Sequence, residues 1–163
     1  MFAKLLIQLA VVCGAICTVI PKPDLSVPIS GTYRIQNAQT GLFLDASGFG
    51  VAPGTPVIVQ TLNEPLTSNQ EWTLAVNSDG QSGTLKSVIN FVALSIDPSQ
   101  GLVIALNSIA SDFQIVPVDG GVLICSIPSS FGCLTSPSDP LTQIPVQSRT
   151  GHLNQVWVFE IIG

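Results

Sequence analysis

Residues 31–74 read GTYRIQNAQTGLFLDASGFGVAPGTPVIVQTLNEPLTSNQEWTL. Three short runs in this stretch, 32–35, 42–45 and 57–60, alternate and are rich in β-forming residues, as strands do. The turn at 37–41 separates the first two, with Gly41 free to take positive φ, and the Gly- and Pro-rich loop at 46–56 separates the second and third. The stretch closes on Asn69-Gln70-Glu71-Trp72, which opens a fourth run over 70–76. The chain ends on the same phrase, Asn154-Gln155-Val156-Trp157. An amide pair followed one residue later by tryptophan, at the close of two separate segments, indicates an internal repeat.

Working outward from that stretch, Asn77, Asp79, Gly80 and Gly83 mark a turn, and runs follow at 84–88, 92–96, 102–106 and 112–116. Asp119-Gly120-Gly121 closes this set, and a third set runs over 122–125, 133–135, 144–147 and 155–161. No segment has a helical period with caps. The chain is therefore expected to be all-β, with three blocks of four short strands at about 31–80, 83–119 and 121–162. One such block cannot bury its apolar face alone, so a closed pseudo-threefold barrel is expected. The expected core is Leu44, Val57, Val59, Trp72, Leu94, Phe113, Leu134, Val146, Trp157 and Phe159.

Of the 163 residues, 46% are hydrophobic and 9% charged, with 14 Gly and 12 Pro, which excludes disorder and a helical bundle. The net charge of -5 argues against nucleic acid and against an electrostatic grip on an anionic membrane. Residues 1–20 have a short start with Lys4, an almost wholly apolar run from Leu5 to Ile20, and a break at Pro21. That pattern reads as a secretory signal peptide, the alternative being an N-terminal membrane anchor, so the mature protein is expected outside the cell, with 21–30 as a lead-in and no membrane segment after cleavage. Four cysteines are present, and Cys13 and Cys17 fall in the signal. Cys125 and Cys133 read as one disulfide across a small loop in an oxidising compartment, the alternative being two buried thiols. His152 is the one histidine and there is no CxxC, so neither a metal nor another cofactor is expected.

The phrases Gly31-Thr32-Tyr33, Leu44-Asp45, Gly54-Thr55-Pro56-Val57 and Asn69-Gln70-Glu71-Trp72 together resemble the ricin B-type (R-type) lectin family, especially its fungal members. The resemblance implies a β-trefoil of three four-stranded repeats, each ending in Gln-x-Trp, and binding of carbohydrate. The first block matches over its length, the third mainly at Asn154-Gln155-Val156-Trp157, and the middle one by strand pattern only, with Asp112-Phe113-Gln114 near the place of the motif. A working repeat of that family supplies an Asp after the second strand, an aromatic ring after the third, and an Asn-Gln pair. The Asn reaches sugar hydroxyls and the Gln braces the Asp.

Carried to this chain, the resemblance makes Asp45, Asn69 and Gln70 the carbohydrate-binding residues. A weaker second site falls at Asn154 and Gln155, where Thr135 replaces the Asp and Gln147 stands near the aromatic place. Ser95 replaces the Asp of the middle block, which is read as structural. Gln60 occupies the aromatic place of the first block, a departure from galactose-type sites, and Phe49 in the loop after Asp45 offers another ring. Trp72 and Trp157 are read as core. Glycans are thus the expected partners. The alternative is a β-trefoil protease inhibitor or an effector, recognising a host protein or a protease through loops at 63–68, 126–132 or 149–151. Arg149 would then suit an acidic specificity pocket. An enzyme is not expected: GxSxG and HExxH are missing, and Asp45 has no evident second carboxylate of the kind a glycosidase needs.

Overall fold

The structure, a computed structural model, describes residues 26–50, 52–89, 91–97, 102–106, 109–128 and 132–162. Residues 1–20, expected to be a signal peptide, and the start of the lead-in lie outside the described residues. Among the described residues there are thirteen strands: β1 (Gly31–Asn37), β2 (Phe43–Ala46), β3 (Thr55–Gln60), β4 (Trp72–Val76), β5 (Ser82–Ser87), β6 (Ala93–Asp97), β7 (Leu102–Leu106), β8 (Phe113–Val118), β9 (Gly121–Ser126), β10 (Cys133–Leu134), β11 (Thr142–Gln143), β12 (Val146–Gln147) and β13 (Val156–Ile161).

Six of them close a barrel. β1 pairs β4, β4 pairs β5, β5 pairs β8, β8 pairs β9, β9 pairs β13 and β13 returns to β1, all antiparallel. Closure leaves no free edge in this ring. The other strands form hairpins, β2 with β3, β6 with β7, and β10 with β12. These draw together where β3 meets β7 and β11. A six-stranded barrel with three hairpins in pseudo-threefold order is a β-trefoil, as the sequence predicts.

Equivalent bonds make the threefold order visible. Each repeat opens its hairpin with one backbone bond of 2.8 Å: Asn37 N to Leu42 O, Ser87 N to Val92 O, and Ser126 N to Gly132 O. In the first and third repeats the buried tryptophan donates its indole N–H to a core leucine carbonyl, Trp72 Nε1 to Leu44 O at 3.0 Å and Trp157 Nε1 to Leu134 O at 3.1 Å. The middle repeat places Phe113 there, fully buried and without a donor. Its leucine carbonyl, Leu94 O, is met by the backbone N–H of Ser111 at 3.2 Å. A buried carbonyl needs a donor, and the repeat supplies a different one. Ser111-Asp112-Phe113 is thus the degenerate form of Gln-x-Trp, a residue earlier than the strand pattern suggests.

Leu44, Val57, Val59, Trp72, Leu94, Phe113, Leu134 and Trp157 form the core as expected, joined by Ile35, Leu74, Leu85 and Ile124. Val146 and Phe159 are half-buried and pack against its margin, Phe159 edge-on to Tyr33 with ring centroids 5.3 Å apart. The third repeat departs from the expected four strands. Its run at 144–147 is a strand only over β12, because Pro145 has no N–H to donate to a ladder, and the short β11 before the run pairs with β3 instead. Cys125 and Cys133 lie directly opposite on β9 and β10 and are joined as a disulfide.

Candidate functional site

Asp45 stands on β2, where Leu44 points to the core and Asp45 to the opposite face. Its cross-strand partner is Ile58 on β3. The short turn Ser68–Gln70 before β4 brings the amide pair to it. Asn69 Nδ2 donates to Asp45 Oδ2 at 2.9 Å. Asn69 Oδ1 in turn accepts from Thr67 Oγ1 at 2.6 Å and from Asn63 Nδ2 at 3.3 Å. Asn69 is thereby locked with its donor end toward the carboxylate.

The resemblance gives the bracing role to Gln70; the Gln70 amide does act on the Asp45 carboxyl, and the structure adds Asn69 as a second brace. Gln70 Nε2 donates to Thr61 O at 2.8 Å and its Oε1 accepts from Asn63 N at 2.9 Å, so Gln70 holds the loop that carries Asn63. Asn69 makes the direct bond to Asp45. Asn63 and Thr67 complete the network, and sequence reading placed them only in a loop. Their signal is faint, since short polar side chains in a loop ordinarily cap their own turns.

Asp45 is 3% exposed. Burial pushes its carboxyl up from the ordinary 3.8 to about 6, against the opposing pull of the Asn69, Gln70 and Asn63 amides. Burial disfavours the charged form because the carboxylate loses its water, and three amides only partly replace that water. The group is therefore an acceptor whose charge depends on mildly acidic pH.

The other two repeats keep the wiring without the charge. In the third, Gln155 Nε2 donates to Thr135 Oγ1 at 2.9 Å and to Ser148 O at 3.0 Å, while its Oε1 accepts from Thr150 N at 2.8 Å. Here the glutamine does brace the residue in the Asp position, but that residue is a threonine. Asn154 is half-buried, and its backbone carbonyl accepts from Asn37 Nδ2 at 3.0 Å and Ser136 N at 2.7 Å. Arg149 and His152 are exposed in the same loop, and Arg149, Ser148 and the disulfide line a concavity of about 220 Å³. In the middle repeat Ser95 Oγ and Ser111 Oγ lie 3.0 Å apart. Of the three equivalent positions, only the first holds a carboxylate.

Asn37, which sequence reading placed in a turn, is buried and ties the first hairpin to the third repeat. Its Nδ2 also donates to Val156 O at 3.0 Å, and its Oδ1 accepts from Gln39 N and Thr40 N, both at 3.1 Å.

A closed six-stranded barrel and three hairpins define a β-trefoil, whose second strand carries the buried Asp45 bonded to Asn69. Residues 26–105 match the family described as ricin-type beta-trefoil lectin domain-like. None of the curated proteins compared with the chain matches it. Among solved structures it is similar to the Rhizoctonia solani agglutinin, with 26% identity and a TM-score of 0.73, covering 84% of this chain and 98% of that one. It is similar to the Macrolepiota procera ricin B-like lectin, crystallised with lactose, at 23% identity and a TM-score of 0.68, covering 84% and 99%. A designed threefold symmetric protein, ThreeFoil, shares the fold at 19% identity and a TM-score of 0.71, covering 81% and 99%.

Proposed function

We propose that the chain is a secreted, non-catalytic carbohydrate-binding protein whose first repeat holds the sugar site. The observation that carries this reading is the Asp45–Asn69 bond, fixed from behind by Thr67 and Asn63. A carboxylate accepts from sugar hydroxyls, and an amide held beside it fixes the orientation of the pair. Similarity to an agglutinin at 26% identity supports the same reading. Among the described residues the hydrogen-bond partners of Asp45 are amides rather than a second carboxylate or a nucleophile, which supports binding without catalysis. Secretion rests on the apolar run from Leu5 to Ile20.

The test is a glycan array with the chain from about Pro21, run beside Asp45→Ala. Binding by the parent that is lost in Asp45→Ala supports the site. Binding kept in the variant moves the site away from the first repeat, and no binding to any glycan removes the lectin reading. Protein recognition through loops, as an inhibitor or effector, has one observation in its favour. The disulfide clamps the base of the loop after β9, and Ile127 beside that base is 50% exposed. Inhibition of a serine or cysteine protease by a protein that binds no glycan would establish it.

A further inference from the structure

Phe49 follows Asp45 by four residues, in the short turn Ser47–Phe49. Its side chain is 51% exposed and its φ is 55°, next to Gly48 at 61°. A bulky L-residue in the left-handed region is strained, and glycine is the usual occupant. Two costs therefore meet here, a strained backbone and an aromatic ring left in water, as they also do at Phe91, and what sets Phe49 apart is its place on the turn after Asp45.

The loop around it is tightly built. Gly50 N–H donates to Ser47 O at 3.0 Å, Thr55 N and Oγ1 both reach Ala52 O, and a Cβ at Gly50 would collide with the Thr55 side chain. The turn packs against β3 and against Ser68–Gln70, the turn that carries Asn69. The place where the family resemblance expects a ring holds Gln60, whose Oε1 is engaged by Thr61 N at 2.8 Å. The site thus has its polar pair, no ring on the third strand, and an exposed ring on the adjoining turn.

We propose that Phe49 is the stacking platform of the Asp45–Asn69 site, and that the ligand is a pyranose presenting a C–H face to this ring while its hydroxyls meet the polar pair. The inference rests on the proposed sugar site and adds the direction from which the sugar is held: from the loop after the second strand rather than from the third strand. A pyranose C–H face packs on an aromatic ring by the same burial and quadrupole effects that pair aromatic side chains.

The experiment compares Phe49→Gly, Phe49→Trp and Asp45→Ala with the parent, using the glycan that the parent binds best on the array. Phe49→Gly relieves the backbone and is expected to raise the melting midpoint by about 2–4 °C, while affinity falls at least tenfold. Phe49→Trp is expected to keep affinity, and its emission to shift to the blue as glycan is added, since Trp72 and Trp157 are buried and stay silent. Affinity unchanged in Phe49→Gly, or a lowered midpoint, overturns the platform. If Asp45→Ala abolishes binding while Phe49→Gly keeps it, the sugar site stands and the platform alone falls. Binding retained in Asp45→Ala, or none by the parent, overturns both.

Discussion

The buried carboxyl of Asp45 gives the fold a pH dependence of unusual sign. Its folded value of about 6 lies above the ordinary 3.8 that it recovers on unfolding. Below 3.8 it is protonated in both states and costs nothing. As pH rises from 3.8 to 6 the unfolded chain ionises first, so stability falls. Above 6 the loss is complete and the curve flattens. A displacement of about 2 units, at 1.36 kcal/mol each, sets the total at roughly 3 kcal/mol. Asp45 is almost wholly buried, so solvent screening takes little from this figure. The perturbation is Asp45→Asn, which keeps the shape and an acceptor for Asn69 but cannot ionise. Urea denaturation from pH 4 to 7.5 is the assay. The parent should lose about 2.4 kcal/mol across that range, a midpoint shift of about 1.2 M if the slope is about 2 kcal/mol per M. The variant should lose little, matching the parent at pH 4 and exceeding it at pH 7. Asp79 does not confuse the result. The backbone N–H of Gln81, with Ser82, holds its carboxyl below the ordinary value, so its contribution is lost only as pH falls below about 4. A flat parent profile, or equal slopes in parent and variant, would refute the burial argument.

Two further outcomes follow from the core. Trp72→Phe leaves Leu44 O without its indole donor, and the backbone N–H of Gln70 is already given to Thr67 O, so the rescue used in the middle repeat is closed. A loss of about 1–3 kcal/mol is expected by urea denaturation, and no loss would show that the carbonyl finds another donor. Reducing Cys125–Cys133, eight residues apart, should cost about 2.5 kcal/mol by loop-closure entropy. The same denaturation with and without reductant reads this directly, and coincident curves would show that the loop is already ordered without the bond.

What the sequence disclosed and what it withheld divide along one physical line. Asp45, Asn69, Trp72 and Trp157 were legible because each does its work through residue type: a charge, an amide, a large apolar ring. The middle repeat was less legible because its chemistry moved from side chain to backbone. Once Phe113 replaced tryptophan, Leu94 O took the Ser111 N–H instead, a donor that every residue but proline carries and that leaves no mark in the sequence. The shortening of the 144–147 run to β12 was readable from the missing N–H of Pro145, yet Ile144 and Val146 on either side of it read as one strand. The part Asn69 plays beside Gln70 was not readable at all. Both are amides, adjacent, and equal in donors and acceptors, and only the path of the loop through Asn63 and Thr67 turns the Asn69 donor end onto Asp45. Phe49 lies between these cases. Its ring was visible in the sequence, but a loop phenylalanine ordinarily covers a core, and its meaning turns on a φ of 55° and an exposed face that only the folded chain reveals. Positions where a fold tolerates strain to hold an apolar group in water are where binding is best sought. Among the described residues Phe49, Phe91 and Leu141 are such positions, and Phe49 is the one on the turn that follows the single carboxylate of the three equivalent positions.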